Sequence, residues 1–365
     1  MELIVYSPAL IKLGLIDAID TLVWTRRFRA AGEVALKVPF SDAANELLKD
    51  GNLLMQAGGT EAMQISYVNL AKDSNGRDTI EAQGSSLLQW LDRRVMLTQI
   101  ISDNLTAQAI LNRMVTQNVI SPADSKRKIP NVVLSSRAAY SEAAIDYKSD
   151  EDMSVLACAE ALMATSKMGC QVLTNPDAKT HTVDFYRGRD LTDGSASPCI
   201  FSVDFGNLGE QNYTYSTQNL KTMAYIRGAE VNTDIGNDKT GLDRREMIVS
   251  AGDISNTYTD EDGGEINLTD AQVLQKLQQR GREELEQNIT EQTFTGAVNQ
   301  VGALQYKTDF DIGDEVTCIY NRWGVTVDTT VTEIVETYQG NRETITVTFG
   351  DGTPSLLTRL RQAIG

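Results

Sequence analysis

The chain has 365 residues, which is enough for two or three domains with sizeable cores. Its 50 acidic and 33 basic residues give a net charge of −17, so binding to nucleic acid is not expected, because phosphate contacts depend on clustered Lys and Arg. No uncharged run approaches the roughly 20 residues of a membrane helix, and the N-terminus lacks the basic and apolar regions of a signal peptide. We therefore expect a soluble protein that is not exported by that route.

The four cysteines are spread along the chain without a C-x-x-C pair. This spacing predicts neither a disulfide scaffold nor a zinc module, and it favours synthesis in a reducing cytosol. We expect reduced and mostly buried thiols at Cys158, Cys170, Cys199 and Cys318.

A β-hairpin is predicted near the start of a first β domain, which covers residues 1–98. Side chains alternate between two faces over residues 22–28 and again over residues 34–38. Gly32 provides a flexible break between the two runs, and Pro39 ends the second run because it lacks a backbone donor. The pattern indicates two paired strands.

Further strands and two short helices complete this first domain. One helix is predicted to begin at Ser41, and another covers residues 85–94. The dipeptide Asn75-Gly76 is typical of a hairpin turn, and it lies between alternating runs at residues 64–68 and 78–82. The domain is therefore predicted to be rich in strands.

Residues 99–197 are predicted to form an α+β insertion domain. Helical spacing of apolar side chains indicates a helix over residues 104–115. Asp152 is predicted to cap a second helix over residues 153–168, and two strands that flank a turn at Asn175 follow it.

Residues 198–365 return to strand patterns and are predicted to form a second β domain. The clearest helix of the chain lies within it, over residues 269–288, where Thr269 and Gln272 form a capping box. The polar segment 232–243 is predicted to be a mobile loop. Alternating runs towards the C-terminus indicate β-hairpins.

Four segments of the chain carry a family pattern. The first covers residues 21–51 and contains W-T-R-R-F with the following G-E and P, and the second is G-x-S-L-x-x-x-L-D-R-R over residues 84–94. The third combines G-R-D-L-T at 188–192 with F-S-V-D-F-G-N-L at 201–208. The fourth is the G-D-x-V strand at 313–316 with the hairpins after it. These segments resemble the tail-hub, or baseplate-hub, proteins of long-tailed bacteriophages and prophages.

The resemblance implies a β-dominated α+β fold, with two tail-tube-like β domains and the α+β insertion domain between them. It also implies a homotrimer, in which three copies of two similar domains form a ring with pseudo-six-fold symmetry. Such a ring connects the tail tube or distal tail protein above to a spike, tail fibre or tail-tip protein below, and forms part of the DNA channel. The implied location is the tail tip or baseplate of the virion, after synthesis in the bacterial host cytoplasm.

In such a channel the acidic composition has a second interpretation. A negatively charged wall repels DNA and lets it pass without adsorbing. The alternative is that the acidity serves solubility alone. Under either interpretation we expect neither sequence-specific binding to nucleic acid nor insertion into a membrane.

Basic pairs lie in the first two family segments. We expect these arginines to form ion pairs between subunits, against the alternative that they are ordinary surface charge like the basic run at 126–128; they are Arg26, Arg27, Arg93 and Arg94. The three tryptophans are predicted to lie in the core: Trp24, Trp90 and Trp323.

We predict no catalytic, cofactor-binding or metal-binding residue. His181 is the only imidazole, and a nucleophilic pair with Cys170 or Ser166 is the enzymatic alternative to a solvent-facing histidine on a strand, which we expect. The acidic loop at residues 260–265 lacks the EF-hand spacing for calcium and is expected to be solvated. The glycine-rich motifs that cradle phosphates are absent from the sequence.

Two other functions stay open on the sequence alone. One is an enzyme of the tail tip that cleaves the cell wall with two converging carboxylates. The other is a different structural part of the tail, such as the six-fold distal tail ring.

Overall fold

A computed structural model describes residues 1–72, 76–97, 99–149, 153–259, 265–298, 304–340 and 342–350. The chain forms two compact units that alternate along the sequence. Unit 1 comprises Met1–Arg187, Lys221–Gln287 and Glu336–Glu343, and unit 2 comprises Gly188–Leu220, Asn288–Val335 and Thr344–Gly365. The division into domains 1–98, 99–197 and 198–365 stays a prediction.

Strands dominate the described part of the chain, and the expected β-rich α+β class is confirmed. Before Gly188 the chain forms β1 (Leu3–Tyr6), β2 (Lys12–Ile16), β3 (Thr21–Arg27), β4 (Glu33–Pro39), α1 (Asp42–Leu47), β5 (Leu53–Gln56), β6 (Ala62–Lys72), β7 (Asp78–Ser86), β8 (Ile101–Leu105), α2 (Ala107–Val115), β9 (Val132–Leu134), β10 (Ile145–Lys148), α3 (Val155–Ser166), β11 (Gly169–Asn175) and β12 (Thr180–Tyr186).

The remaining elements follow from Gly188 onwards. They are β13 (Asp190–Leu191), β14 (Ile200–Ser202), β15 (Leu208–Ser216), β16 (Met223–Gly228), β17 (Asn232–Gly236), β18 (Glu246–Ala251), β19 (Thr257–Thr259), β20 (Glu265–Asn267), α4 (Asp270–Glu286), β21 (Glu291–Val298), β22 (Glu315–Tyr320), β23 (Val325–Gln339) and β24 (Arg342–Phe349). Short 3₁₀ turns lie at Leu87–Arg93, Ser125–Arg127, Gly241–Asp243 and Asn321–Trp323, and a π-helical turn at Thr116–Ile120.

The first part of unit 1 is an antiparallel sheet with the strand order β3-β4-β7-β6-β5-β1-β2. The hairpin predicted from the alternating runs is confirmed as β3 and β4, in which Trp24 pairs with Val34. Both side chains are buried on one face, because successive side chains of a strand point to opposite faces. The hairpin of β6 and β7 is also confirmed, although residues 73–75 of its turn lie outside the described residues.

The second part of unit 1 packs α2 and α3 with the three-stranded sheet β11-β12-β9 in one core. Side-chain caps begin both helices, from Thr106 in α2 and Ser154 in α3. The prediction that Asp152 caps the second helix is wrong, since Ser154 accepts the capping hydrogen bond from the amide of Ala157; Asp152 itself lies outside the described residues.

The third part of unit 1 is residues 221–287, which we name the α4 lobe. Its sheet has the order β17-β16-β18, and α4 covers one face. The predicted capping box of Thr269 and Gln272 is confirmed. The prediction of a loop at 232–243 is wrong for its first half, because β17 pairs there with β16.

Unit 2 contains an antiparallel sheet with the order β15-β21-β24-β23. β22 pairs with β23 and also runs parallel to β13 and β14. Edge-to-face and tilted ring contacts join the buried aromatic side chains of this core: Phe201, Phe294, Phe310 and Phe349.

The predicted burial of cysteines is confirmed, but that of tryptophans is only partly correct. None of the four cysteines forms a disulfide, and all four are buried. Trp24 and Trp90 lie in cores, whereas 48% of Trp323 is exposed on a 3₁₀ turn, against the expectation. The ring of Trp323 packs on Tyr320 at a centroid distance of 4.0 Å.

Candidate functional site

The second family segment, residues 84–94, is anchored to β6 by the side chain of Gln64. The Oε1 atom of Gln64 accepts hydrogen bonds from Trp90 Nε1 at 2.8 Å and from the Arg93 guanidinium at 2.6 Å. Gln64 is itself buried, so the indole N–H of the buried Trp90 has its acceptor away from solvent, whereas Arg93 reaches the same oxygen from the exposed side. No pattern in the sequence indicated a role for this residue.

Gly84 and Ser86 of this segment hold it against neighbouring strands, the first by close backbone packing and the second by a hydrogen bond. A Cβ on Gly84 would lie 2.1 Å from the carbonyl oxygen of Gln64, so only glycine fits between β7 and β6. The hydroxyl of Ser86 accepts a hydrogen bond from the amide of Gly32 at 2.9 Å, at the start of β4. The segment therefore connects the first hairpin to the rest of the sheet.

The arginines of the first family segment pair with acids of the same chain. The buried Arg26 donates to the carboxylate of Glu61 from Nε at 2.9 Å and from Nη2 at 2.5 Å. Such a two-pronged contact fixes the direction of the guanidinium. Arg27 donates to Glu33 at 2.9 Å and to the carbonyl of Ala31 at 2.8 Å.

The remaining predicted interface arginine contacts a basic turn. Arg94 donates from Nε to the carbonyl oxygen of Arg127 at 2.6 Å, and Arg127 donates to the carbonyl of Val95 at 2.6 Å. Burial lowers the pKa of Arg94, and the charges of Arg127 and Arg93 lower it further. Arg93 is exposed, whereas Arg94 is half-buried.

The structure thus gives Arg26, Arg27, Arg93 and Arg94 partners within the chain. They do not form one contiguous group, because Arg26 and Arg27 contact different acids and Arg93 and Arg94 contact different elements. Their role in a subunit interface stays a prediction.

The third and fourth family segments meet in unit 2 around Asp314. This buried carboxylate accepts hydrogen bonds from the amides of Arg189 and Asp311, each at 2.8 Å, and from the Arg189 guanidinium at 2.6 Å. The contact raises the pKa of Arg189 through that hydrogen bond. Beside it a Cβ on Gly188 would lie 1.9 Å from the Gly313 carbonyl oxygen, so the two glycines allow the backbones to touch.

Two further features hold these segments in register. β13 and β14 both run parallel to β22, with Asp190 opposite Glu315. Asn207 bridges the turn after β14, since its Oδ1 accepts from the amide of Ser202 at 2.9 Å and its Nδ2 donates to the carbonyl of Ile200 at 2.8 Å. Gly188, Asn207 and Asp314 of these two segments therefore have structural roles.

His181 is buried, and the expectation of a solvent-facing histidine is wrong. It lies on β12 opposite Thr174, whose hydroxyl is 3.0 Å from Nδ1, and its ring meets Trp90 edge-on at 5.0 Å. Nε2 has no hydrogen-bond partner within the described residues. Burial lowers the pKa of His181 to about 4.

The nucleophilic pair considered for His181 is not assembled. Cys170 contacts the carbonyl of Gln171, and Ser166 donates to the carbonyl of Leu162, so neither is bonded to the imidazole. Burial also raises the pKa of Cys170, which disfavours a thiolate.

The buried imidazole predicts a loss of stability in acid. Its folded-state pKa lies below the unfolded value of 6.5, so its contribution is complete above pH 6.5 and is lost as the pH falls towards 4. We expect wild type to lose roughly 2 kcal/mol more than His181→Gln between pH 7.5 and pH 4.5. Urea unfolding at a series of pH values measures this difference, and parallel pH profiles of the two proteins would contradict it.

One carboxylate with a perturbed pKa was not predicted from the sequence. Burial and the nearby charge of Asp92 raise the pKa of Glu160, on α3, to about 7. In the sequence, Glu160 stands among apolar residues of a predicted helix. That pattern is a weak indication of a buried carboxylate, because the same apolar residues are equally explained by core packing. Among the described residues, no group of three or more His, Cys, Asp or Glu side chains is placed to hold a metal ion.

The acidic loop at residues 260–265 lies outside the described residues except for Glu265. No helix in the described ranges is long and apolar enough to cross a membrane.

Three solved structures share this fold over nearly their whole length. The tail protein from Neisseria meningitidis MC58 is 15% identical, with a TM-score of 0.58 and 96% of each chain covered. The 43 kDa tail protein of prophage MuSo2 from Shewanella oneidensis is 11% identical, with a TM-score of 0.57 and coverage of 96% of this chain and 97% of that one. The prophage tail protein gp18 from Listeria monocytogenes EGD-e is 12% identical, with a TM-score of 0.56 and coverage of 100% and 98%.

No curated protein sequence matches the chain. A family model does: the one described as Siphovirus ReqiPepy6 Gp37-like protein matches residues 2–351. The match includes all four segments that resemble phage tail hubs, and it agrees with the fold shared with three phage or prophage tail proteins. The chain therefore belongs to the Siphovirus ReqiPepy6 Gp37-like family of phage tail proteins.

Proposed function

We propose that this chain is the structural hub of a phage tail tip or baseplate. Membership in a phage tail protein family makes it a component of the virion. The observation that supports the hub role best is that one chain forms two compact units, each of which contains antiparallel strand pairs and buried apolar side chains. We propose a structural and not an enzymatic role.

The two units suggest how a three-fold object matches a six-fold tube. Three copies with two sheet-based units each would place six similar bodies around one axis. Such a homotrimer would join the tail tube or distal tail protein on one side to a spike, tail fibre or tail-tip protein on the other. This model requires the two units of one chain to be structurally similar to each other, and that similarity is part of the proposal.

The net charge of −17 suits the channel of such a ring. Carboxylates facing the axis would repel the phosphates of passing DNA, so that the DNA is not retained by adsorption. The hub would then act as a passive conduit once the plug below it has left.

Immunogold electron microscopy of phage particles tests this location. With an antibody against this chain, we expect label at the end of the tail distal to the head. An antibody against the major tube protein is the matched control and should decorate the tail along its length. Label spread along the tube, or at the head, would contradict the proposal.

The enzymatic alternative is a tail-tip enzyme with two converging carboxylates, and Glu160 is a carboxylate whose pKa is raised, first by burial and then by the charge of Asp92. A glycosidase needs two carboxylates on either side of a sugar, one of them with a raised pKa. A zymogram on purified cell wall distinguishes the two functions, because a hub leaves no cleared zone.

A further inference from the structure

The α4 lobe, residues 221–287, has a hydrophobic core of its own. Helix α4 lies directly on the lobe's sheet, because a Cβ on Gly281 would come within 2.8 Å of Ile226 and 2.7 Å of Ile235. The buried apolar residues of α2 and α3 belong to a separate cluster. The lobe's own cluster consists of Ala224, Ile226, Val249, Ala251, Ile254, Leu268, Val273 and Leu277. These contacts can hold the lobe together without the rest of unit 1.

A second face of α4 is buried although it is polar. Its residues are spaced at i, i+3, i+4 and i+7, which places them on one side of the helix, and α4 packs there against β10 and α3. Each is less than 9% exposed: Lys276, Gln279, Arg280 and Glu283. The lobe therefore meets the rest of unit 1 through charged and amide side chains.

An ionic network lies at the centre of this interface. The buried Lys148 of β10 donates to Asp253 of the lobe, at 3.0 Å to the carboxylate and also to the backbone carbonyl. Arg280 reaches the same carboxylate oxygen at 3.3 Å. Burial opposes the charged carboxylate, but Arg280 and Lys148 lower the pKa of Asp253 overall. Lys276 adds a bond of 3.0 Å to the carbonyl of Ser102 on β8.

Buried ion pairs of this kind determine the orientation in which two surfaces pack more than they add to the free energy of packing. The free energy lost when the charges leave water is about as large as the free energy gained from their attraction. Removing one partner is costly, because the remaining charges are then buried without a counter-charge. An apolar interface of the same size would bind the lobe more strongly. The network therefore makes docking specific and leaves it separable.

The path of the chain agrees with a separable lobe. Its two ends pass into unit 2, at Leu220 and Asn288, so no peptide bond joins the lobe directly to the rest of unit 1. The flanking strands β15 and β21 pair with each other, with Ser216 opposite Glu291. The lobe is thus an insertion between two paired strands, and in the described residues the hydrogen bonds that attach it to β8 and β10 are donated by the side chains of Lys148, Lys276 and Arg280.

We propose that the α4 lobe is a latch, which docks on the rest of unit 1 through Asp253, Lys148 and Arg280 and releases as a folded body. Docking holds the lobe, whose two chain ends continue into unit 2, against the rest of unit 1, and release removes that attachment. This proposal does not depend on the hub function or on a homotrimer. It assigns to the buried charges of α4 a conformational role.

Hydrogen–deuterium exchange of the full chain with Asp253→Asn tests the latch. The two-stranded sheet of β8 and β10 is the reporter, because an isolated pair of strands is only marginally stable without the helix that covers it. We expect exchange in β8 and β10 to accelerate at least about tenfold, since the lobe opens without global unfolding. Exchange in β16 and β18 should stay at the wild-type rate.

Asp234→Asn is the matched control, because it makes the same chemical change at an exposed site on β17 of the same lobe. It should leave exchange unchanged everywhere. Lys148→Met is the second test variant, since it keeps the length of the side chain and removes its charge; it should accelerate the same two strands.

Three results would overturn the latch. Unchanged exchange in β8 and β10 of both test variants would show that the network does not hold the lobe. Equal acceleration in β16 and β18 would show that the lobe is not an independent body. Failure of both test variants to fold would show that the network belongs to one cooperative core.

Discussion

Asp314→Ala is expected to destabilise unit 2 by roughly 2–4 kcal/mol, because it leaves buried donors without an acceptor. The carboxylate is 3% exposed and accepts from two backbone amides, those of Arg189 and Asp311. The Arg189 side chain is 53% exposed and can turn into solvent, so the ion pair itself contributes little. Most of the loss therefore comes from the two amides.

Urea unfolding followed by circular dichroism measures this loss. Glu315→Ala is the control, because Glu315 is the next residue along the chain and its side chain is exposed; its unfolding midpoint should match wild type. An Asp314→Ala protein as stable as the control would show that the two family segments are not held together by this carboxylate.

Gly84→Ala is expected to destabilise unit 1 by roughly 2–4 kcal/mol, through a clash between two strands. The new methyl group would lie 2.1 Å from the Gln64 carbonyl oxygen and 3.1 Å from the Ile65 Cα. Both are backbone atoms of β6, so no side chain can rotate away, and the strand itself must move. That movement would also pull Gln64 from Trp90 and Arg93.

Thermal unfolding measures the effect, with Gly252→Ala as the matched control. A Cβ at Gly252 meets no atom within 4 Å and requires no left-handed backbone, so the same substitution there should be neutral or slightly stabilising. A Gly84→Ala protein that melts with the control would mean that β6 and β7 tolerate a wider separation than the structure shows.

Local patterns predicted those parts of the fold that depend on neighbours in sequence. The alternation around Trp24 and Val34 identified a hairpin because a strand with one buried face has a period of two residues. The helix at Thr269 was found because its capping box lies within four residues. Both patterns can be recognised in the sequence without knowledge of any tertiary contact.

The failures depend on contacts that are distant in sequence. β17 was taken for a loop because its residues are polar, yet its pairing with β16 makes it a strand. His181 was expected in solvent, but Trp90 covers it from a segment far away in the sequence. Trp323 shows the reverse case, since tryptophans are usually buried and this one sits on an exposed turn.

The sequence identified the segments that form the candidate sites, but it did not identify which residues of those segments contact each other. The G-D-x-V pattern contained Asp314, but nothing local indicated that Arg189 would be its partner. Gln64 lies outside every family segment and still anchors one of them. The burial of the polar face of α4 was not predicted, because helical spacing alone does not show which polar face another element covers.

The mass of the purified protein in solution tests the central claim most directly. One chain has a mass of 40.1 kDa, and a hub that imitates six-fold symmetry with two units per chain requires three copies. Sedimentation equilibrium or native mass spectrometry should therefore give three times the mass of the chain. A six-fold assembly would identify a ring of another kind, and a monomer at all concentrations would contradict the account.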